Sequence, residues 1–229
     1  MAKLEARPVS FAVEGKGAVS GLLIAPKGAH AVYVLAHGAG AGMAHPFLAS
    51  IATLLAERGI ATLRYQFPYM EAGSRRPDSP KVAEATVRAA VVEAAKLAPR
   101  LPLFAGGKSF GGRMTSQAEA HGSTGAKGLA FLGFPLHPPG APADIRGEHL
   151  TDVKVPMLFL QGTKDEFAEL GLLKPLVKRL GKRATLRLIE NANHSFHVPA
   201  KSGRKDAEVM VELADTLTGW IDERLQAGK

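Results

Sequence analysis

Short apolar runs alternate with longer alanine-rich segments along most of the chain, and this alternation restricts the possible folds more than any other feature. The runs are rich in Val, Ile, Leu and Phe and have the length of buried strands, whereas the longer segments have helical spacing. Strands that alternate with such helices form mostly parallel sheets with helices on both faces. We therefore predict an α/β fold. The predicted strands span residues 9–15, 18–26, 31–38, 60–67, 102–107, 128–134, 156–162 and 184–190, and the predicted helices span 45–59, 82–98, 111–121, 166–180 and 204–226.

The first two apolar runs are separated by Lys16 and Gly17 alone. Two residues are too few for a crossover helix, so these runs cannot be neighbouring parallel strands. They are long enough for a tight turn between antiparallel strands. We therefore expect the sheet to begin with an antiparallel hairpin.

The length of 229 residues suits one domain with a core of its own, and we find no linker, repeat or low-complexity tract. We therefore expect a single domain over residues 1–229. The absence of cysteine excludes disulfides, thiolate catalysis and thiolate metal sites. The first residues lack the apolar core of a signal peptide, and no apolar stretch has the length of a membrane helix. We therefore expect a cytoplasmic protein without a membrane partner.

The formal net charge is +8, and part of the excess lies in one segment, residues 170–189. A basic surface is the electrostatic signature of phosphate binding, which raises the possibility of a nucleic-acid partner. No nucleic-acid-binding motif accompanies the segment, so we interpret it as a solvated helix face and the loop that follows, and expect no such partner. Its basic residues are Lys174, Lys178, Arg179, Lys182, Arg183 and Arg187.

A G-x-S-x-G pattern, Gly107 to Gly111, lies where the apolar run 102–107 meets a helical segment. A serine raised on such a sharp strand-to-helix turn needs a strained backbone, so the residues two before and two after it must be small. The helix that begins just after the serine directs free backbone N–H groups toward an oxyanion. We therefore interpret Ser109 as a nucleophile and Gly107 and Gly111 as the glycines of its turn.

The same segment allows two other interpretations. A glycine-rich turn can carry a serine that only caps a helix, and the pentapeptide alone does not exclude this. Gly107, Lys108 and Ser109 also resemble the end of a phosphate-binding loop. That motif needs a glycine five residues before Gly107, where this chain has Pro102. We therefore exclude a nucleotide-binding loop here.

A hydroxyl nucleophile needs a base, and the base needs an orienting acid. Asp165 follows the run 156–162 and His194 follows the run 184–190, so both lie at the carboxyl ends of predicted strands, in the order acid then base. We predict that Asp165 and His194 complete a catalytic triad with Ser109. The alternatives are Glu166 or Asp144 as the acid, His197 as the base, and Asp165 as a mere cap of a helix that starts at Glu166.

The segment Ala36 to Gly42, at the end of the third predicted strand, consists of small residues apart from His37. Small residues allow the backbone to approach a substrate, and this loop supplies the second oxyanion donor in the strand-turn-helix arrangement above. We assign the oxyanion-binding N–H groups to Ala39 and Phe110; the alternative is a connection that serves only sheet-helix packing. The remaining histidines have no acidic or histidine partner at a metal-ligand spacing, so we predict neither a metal nor a cofactor.

With these motifs in this order, residues 7–227 resemble the α/β-hydrolase superfamily, in particular its small dienelactone-hydrolase-like members. The segments that carry the resemblance are LAHGAGAG, GGKSFGGR, FLGFPLHPPG, FLQGTKDEF and ANHSF. They look like a bacterial subgroup of these hydrolases and are similar to a domain in a subunit of a eukaryotic histone-acetyltransferase complex. The resemblance implies an eight-stranded sheet with an antiparallel second strand and a catalytic triad. Dienelactone hydrolases proper use cysteine where this chain has Ser109, which argues against dienelactone as the substrate.

The expected activity is hydrolysis of an acyl bond, a carboxylic ester in a small molecule, through an acyl-enzyme. Many such enzymes carry a cap domain after the sixth strand, but residues 137–155 are too few for one, so we expect an open cleft. A thioesterase, a peptidase or an acyltransferase would use the same residues. A catalytically idle hydrolase fold that serves as a binding module is the alternative from another class, and the sequence leaves the oligomeric state open.

Overall fold

The structure is a computed structural model that describes residues 5–227. Its strands are β1 (Arg7–Val13), β2 (Gly17–Ile24), β3 (Ala31–Ala36), β4 (Ile60–Tyr65), β5 (Leu103–Lys108), β6 (Leu129–Leu132), β7 (Met157–Gly162) and β8 (Ala184–Ile189). Its α-helices are α1 (Pro46–Glu57), α2 (Pro68–Glu71), α3 (Pro80–Leu97), α4 (Phe110–Ala120), α5 (Leu170–Leu180) and α6 (Asp206–Ala227). Short 3-10 helices span Ile145–Thr151, Gly181–Arg183 and Ala200–Ser202.

The described strands form one eight-stranded sheet in the order β1-β2-β4-β3-β5-β6-β7-β8. β2 pairs antiparallel with β1 and with β4, whereas all pairs from β4 through β8 are parallel. The predicted α/β fold and the antiparallel second strand are therefore confirmed. Parallel strands need crossover helices, and these helices cover both faces of the sheet.

The predicted hairpin is confirmed, but its turn lies earlier than expected. Val13 pairs with Gly17, and the N–H of Lys16 donates to the carbonyl of Val13 at 3.0 Å. Gly15 takes the left-handed φ of 69° that the turn requires. The alternation of Phe11 and Val13, both buried, fixes the register, because a one-residue slip would turn these side chains to solvent.

Alternate residues of the central strands face two separate apolar layers. On β3, Tyr33 and Leu35 pack with α1 and α6, whereas Val32 and Val34 pack with the layer formed by α3, α4 and α5. Every residue of β3 is buried, as expected for a parallel strand that is covered on both faces. The rigid centre of the sheet thus lies directly below the turns at the carboxyl ends of β3, β5 and β7.

Two predicted segments differ from the structure. The helix predicted over 166–180 begins only at Leu170, so Asp165 does not cap a helix at Glu166. Residues 165–169 instead form a turn, because the Asp165 carboxylate accepts from the N–H of Phe167 at 2.9 Å. The segment 68–80, predicted as a loop, contains α2.

The connection from β6 to β7 contains only a short 3-10 helix, Ile145–Thr151, so the predicted absence of a cap domain is confirmed. Among the helices of residues 5–227, none combines the length and the apolar character that crossing a bilayer demands.

Candidate active site

Ser109 lies at the junction of β5 and α4 in a backbone conformation that L-residues rarely adopt, with φ 50° and ψ −116°. Two hydrogen bonds hold it there: its N–H donates to the Leu132 carbonyl at 3.2 Å, and its carbonyl accepts from Arg113 at 3.1 Å. Such strain persists only where the surrounding structure imposes it, and it is concentrated at functional sites. The turn projects the Ser109 hydroxyl above the end of the sheet.

The two glycines of the turn are required by close contact with the end of β3. A Cβ at Gly107 would lie 2.4 Å from the carbonyl oxygen of Ala36, and a Cβ at Gly111 would lie 2.5 Å from that of His37. Both obstacles are backbone atoms, which cannot rotate away as a flexible side chain would. A larger residue at either position would therefore push the turn off β3.

A continuous hydrogen-bonded chain links the three residues that the sequence predicted as a triad. The Ser109 Oγ lies 2.9 Å from Nε2 of His194, and Nδ1 of His194 lies 2.8 Å from Oδ2 of Asp165. The Asp165 side chain is fully buried, whereas that of His194 is 14% exposed. The three residues come from the turns after β5, β7 and β8, which meet at one edge of the sheet.

Asp165 is held in place by neighbours that the sequence did not single out. Its Oδ2 accepts from Nε2 of Gln161 at 2.5 Å, and its Oδ1 accepts from the N–H of Phe167 at 2.9 Å. Gln161 is fixed in turn, because its Oε1 accepts from the N–H of Phe134 at 2.9 Å. These donors leave the carboxylate one orientation, in which it faces the ring of His194.

The two alternative acids lie elsewhere. Glu166 is exposed to solvent. Asp144 accepts from Nη2 of Arg179 at 3.0 Å on the surface. The structure therefore brings neither carboxylate into the hydrogen-bonded chain of Ser109.

The loop after β8 separates the two candidate bases. The Asn193 side chain accepts from the N–H groups of Ser195 and His197 at 2.9 and 3.0 Å, which curls the loop so that His194 points over the sheet. The ring of Phe167 packs against that of His194, with centroids 4.2 Å apart. The His197 side chain is 61% exposed and pairs with Asp206 at 2.9 Å, away from Ser109.

His37 shapes the small-residue loop after β3. Its Nε2 accepts from the N–H of Phe67 at 3.2 Å, so the ring proton is on Nδ1, which donates to the carbonyl of Gly38 at 2.7 Å. Burial lowers the pKa of His37 to about 4, so the ring is neutral at physiological pH. Because a trans peptide points its C=O and N–H in opposite directions, the N–H of Ala39 is directed away from His37.

The loop is fixed at a second point by α2, the helix that the sequence did not predict. The N–H of Gly40 donates to the hydroxyl of Tyr69 at 2.9 Å, and the N–H of Tyr69 donates to Asp78 at 3.0 Å. Phe110 is the first residue of α4, so its N–H has no partner within the helix. Ala39 lines the same cavity as Ser109, and Phe110 directly follows Ser109 in the chain.

A cavity of about 310 Å³ opens beside Ser109. Its walls are mostly apolar and come from the loop after β3, the first turn of α1 and the turn after β7. An apolar cleft with a few convergent polar groups is the usual form of a small-molecule site. The lining residues are Gly38, Ala39, Ala41, His45, Phe47, Leu48, Lys108, Ser109, Phe167, His194 and Ser195.

Lys108 is a site residue whose position sequence reasoning missed. Its Nζ is buried and has no hydrogen-bond partner within residues 5–227. It lies 5.5 Å from the ring centroid of Phe196, and burial lowers its pKa to about 8. A charged residue inside the nucleophile pentapeptide was the available signal, but its spacing does not reveal that the side chain folds inward.

Throughout the described part of the chain, no group of three or more His, Asp or Glu side chains is arranged to hold a metal ion.

Comparison with known proteins identifies a family whose model matches this chain and solved structures that have a similar fold. A family model described as "Alpha/beta hydrolase domain" matches residues 29–222. A dienelactone hydrolase from Anabaena variabilis aligns with a TM-score of 0.78 and 21% identity, over 96% of this chain and 97% of that one. A serine hydrolase without lid from Xanthomonas campestris aligns with a TM-score of 0.74 and 20% identity, over 96% and 97%. The esterase domain of a Rhodothermus marinus protein aligns with a TM-score of 0.72 and 14% identity, over 94% and 97%.

Proposed function

Because the chain belongs to the α/β-hydrolase family, we propose that it is a serine hydrolase that cleaves carboxylic esters through an acyl-enzyme on Ser109. The observation that carries this proposal is the continuous hydrogen-bonded chain from Ser109 through His194 to Asp165. The strained turn at Ser109 adds support, because such strain needs a compensating use. The hydrolase and esterase names of the structural neighbours agree with this reaction class.

In the first half of the reaction, the Ser109 hydroxyl attacks the acyl carbon and its proton passes to Nε2 of His194. The neutral tautomer that can accept this proton carries its hydrogen on Nδ1, and the Asp165 carboxylate fixes that tautomer. The new C–O bond converts the carbonyl into a tetrahedral oxyanion. When the carbonyl re-forms, the C–O bond to the alcohol breaks and His194 donates the proton to the leaving oxygen.

The oxyanion is stabilised by the N–H groups of Ala39 and Phe110. The contribution of Ala39 depends on His37, whose Nδ1–H holds the Gly38 carbonyl so that the N–H of the same peptide points in the opposite direction. The contribution of Phe110 is strengthened by the helix dipole of α4. Preorganised donors of this kind act without a reorganisation cost at the moment of reaction.

In the second half, water takes the place of the alcohol. His194 removes a proton from the water as it attacks the acyl carbon, and the proton returns to the Ser109 oxygen when the acyl-enzyme bond breaks. The products are a carboxylic acid and the regenerated enzyme. The chemistry requires only the residues described above and water.

The substrate class follows from the shape of the cavity. The apolar walls around Phe47, Leu48 and Phe167 favour an uncharged acyl group, and a cavity of about 310 Å³ suits a short one. Because the connection from β6 to β7 carries no cap, we propose that the cleft stays open and can accept an ester of a large alcohol. We propose short-chain acyl esters as the substrates.

The test compares Ser109→Ala with Ser195→Ala, a matched control whose serine lines the same cavity. We expect Ser109→Ala to lose both fluorophosphonate labelling and hydrolysis of p-nitrophenyl acetate and butyrate, and Ser195→Ala to keep both. Labelling that persists in Ser109→Ala would exclude Ser109 as the nucleophile. Faster wild-type hydrolysis of acyl thioesters than of the matching esters would instead favour a thioesterase.

A further inference from the structure

Three functional groups converge on Gly133, the residue that follows β6. A Cβ at this position would lie 3.0 Å from Nζ of Lys108, 3.4 Å from Oδ2 of Asp165 and 3.5 Å from Cε1 of His194. Gly133 also has a left-handed φ of 70°, so glycine is favoured by both backbone and space. The Lys108 ammonium is therefore buried close to the pair formed by Asp165 and His194, rather than out in solvent.

The Lys108 amine is buried without a hydrogen-bond partner, and burying such a group is costly. Desolvation lowers the pKa of Lys108, and the negative charge of Asp165 opposes that shift, which leaves the pKa at about 8. At neutral pH the group is therefore mainly an ammonium. Its charge balances the fully buried carboxylate of Asp165.

We propose that Lys108 is a positioning residue whose buried ammonium opposes protonation of His194 and so keeps that imidazole neutral and able to accept the Ser109 proton. The proposal deepens the hydrolase mechanism above and rests on it. The physical cause is electrostatic: a positive charge close to the ring disfavours the imidazolium, whereas the Asp165 carboxylate favours it. Lys108 thus offsets part of the effect of Asp165 on His194.

The elements packed around the Lys108 ammonium contribute few other ionisable groups. The turn after β7 contributes Asp165, and the loop after β8 contributes His194 and the uncharged ring of Phe196. Gly133 contributes only backbone. Within residues 5–227, the charged group that shifts the pKa of Lys108 is Asp165. The balance between Lys108 and Asp165 therefore determines the charge near His194.

The decisive experiment is an NMR titration of the His194 ring in the wild type, in Lys108→Met and in Lys108→Arg. Methionine keeps the length of the chain and removes the charge, whereas arginine keeps the charge. We expect the pKa of His194 to rise by about one unit in Lys108→Met and to stay near the wild-type value in Lys108→Arg. An unchanged pKa in Lys108→Met, or an equal rise in both variants, would overturn the proposal.

Ester hydrolysis supplies a second measurement. The acid limb of the kcat/KM profile should move to higher pH in Lys108→Met by the amount that the NMR titration gives, because the limb reports the free base. If the protein hydrolyses no ester at all, the hydrolase mechanism fails, but the titration of His194 still tests the effect of Lys108.

If Lys108→Met does not fold, the proposal can still be tested by an NMR titration of the wild-type protein. Its His194 ring signals should show a second inflection near pH 8, where Lys108 loses its proton. If the Lys108 side-chain signals titrate and the His194 ring signals do not respond at the same pH, the proposal is contradicted.

Discussion

Replacing Asp165 by asparagine tests the proposed role of the acid with almost no change of volume. The Asp165 carboxylate accepts hydrogen bonds from His194, Gln161 and Phe167. An asparagine side chain has one oxygen and one NH₂ group, so it cannot accept from all three donors. If the NH₂ group faces His194, Nδ1 must become the acceptor, and the ring proton moves to Nε2. The imidazole then points an N–H at Ser109 and cannot take its proton.

The size of the effect follows from this change of tautomer. Replacing the orienting acid in a triad by its amide lowers kcat by about 10⁴, which corresponds to about 5.5 kcal/mol of transition-state stabilisation. Gln161 and Phe167 donate to different oxygens of Asp165, so one of them loses its acceptor, which should cost about 1–3 kcal/mol of stability without unfolding the protein. We therefore expect a large loss of activity with a cooperative unfolding transition.

The assay is hydrolysis of p-nitrophenyl acetate by Asp165→Asn and by Glu166→Gln, which carries the same chemical change at the exposed neighbouring position. We expect near-normal turnover in Glu166→Gln. Turnover of Asp165→Asn within tenfold of the wild type would refute the reasoning. Loss of activity in Glu166→Gln alone would assign the acid to the neighbouring residue.

Four further predictions follow from contacts in and around the site. His194→Ala should lower turnover of an activated ester by about 10⁴, whereas His197→Ala should cost little because that ring is exposed; assays of both variants side by side decide between them. Phe47→Ala should widen the cavity and raise the ratio of kcat/KM for p-nitrophenyl hexanoate to that for the acetate; an unchanged ratio would remove this ring from acyl selection. Gly111→Ala should abolish fluorophosphonate labelling and lower Tm, because its Cβ would lie 2.5 Å from a backbone oxygen. Burial lowers the pKa of His37 to about 4, so as the pH falls this ring takes up a proton in the unfolded chain before it does so in the folded protein. The stability that the neutral ring contributes is therefore present above pH 6.5 and is lost as the pH falls toward 4. In urea unfolding, the free energies of unfolding of the wild type and His37→Gln should differ in this window by up to about 3 kcal/mol.

Most of the fold could be predicted from the sequence because apolar period and strand length are local signals. The alternation predicted each of the eight strands of the sheet with errors of a few residues at the ends. The start of α5 was wrong, because the turn at residues 165–169 depends on the Asp165 carboxylate binding a backbone N–H. Helix α2 escaped prediction because its four residues are too few to carry a helical period.

Only those residues of the candidate site that follow predicted strands could be identified from the sequence. Ser109, Asp165 and His194 follow separate apolar runs, so their convergence at one sheet edge could be expected from the sequence. Gln161 and Lys108 lie within or at the end of strands, and their role depends on the direction of each side chain. That direction is set by packing between strands distant in the chain, which no local pattern contains.

Ser109, the proposed nucleophile, and His194, its proposed base, are 85 positions apart in the chain. In the sheet, β6 and β7 lie between β5 and β8, so His194 reaches Ser109 only after both intervening strands have paired. During synthesis, Ser109 therefore leaves the ribosome before its proposed base, and we expect a growing chain to lack the proposed esterase activity until β8 has joined the sheet. Fluorophosphonate labelling during refolding would consequently time the docking of the last strand rather than the collapse of the core.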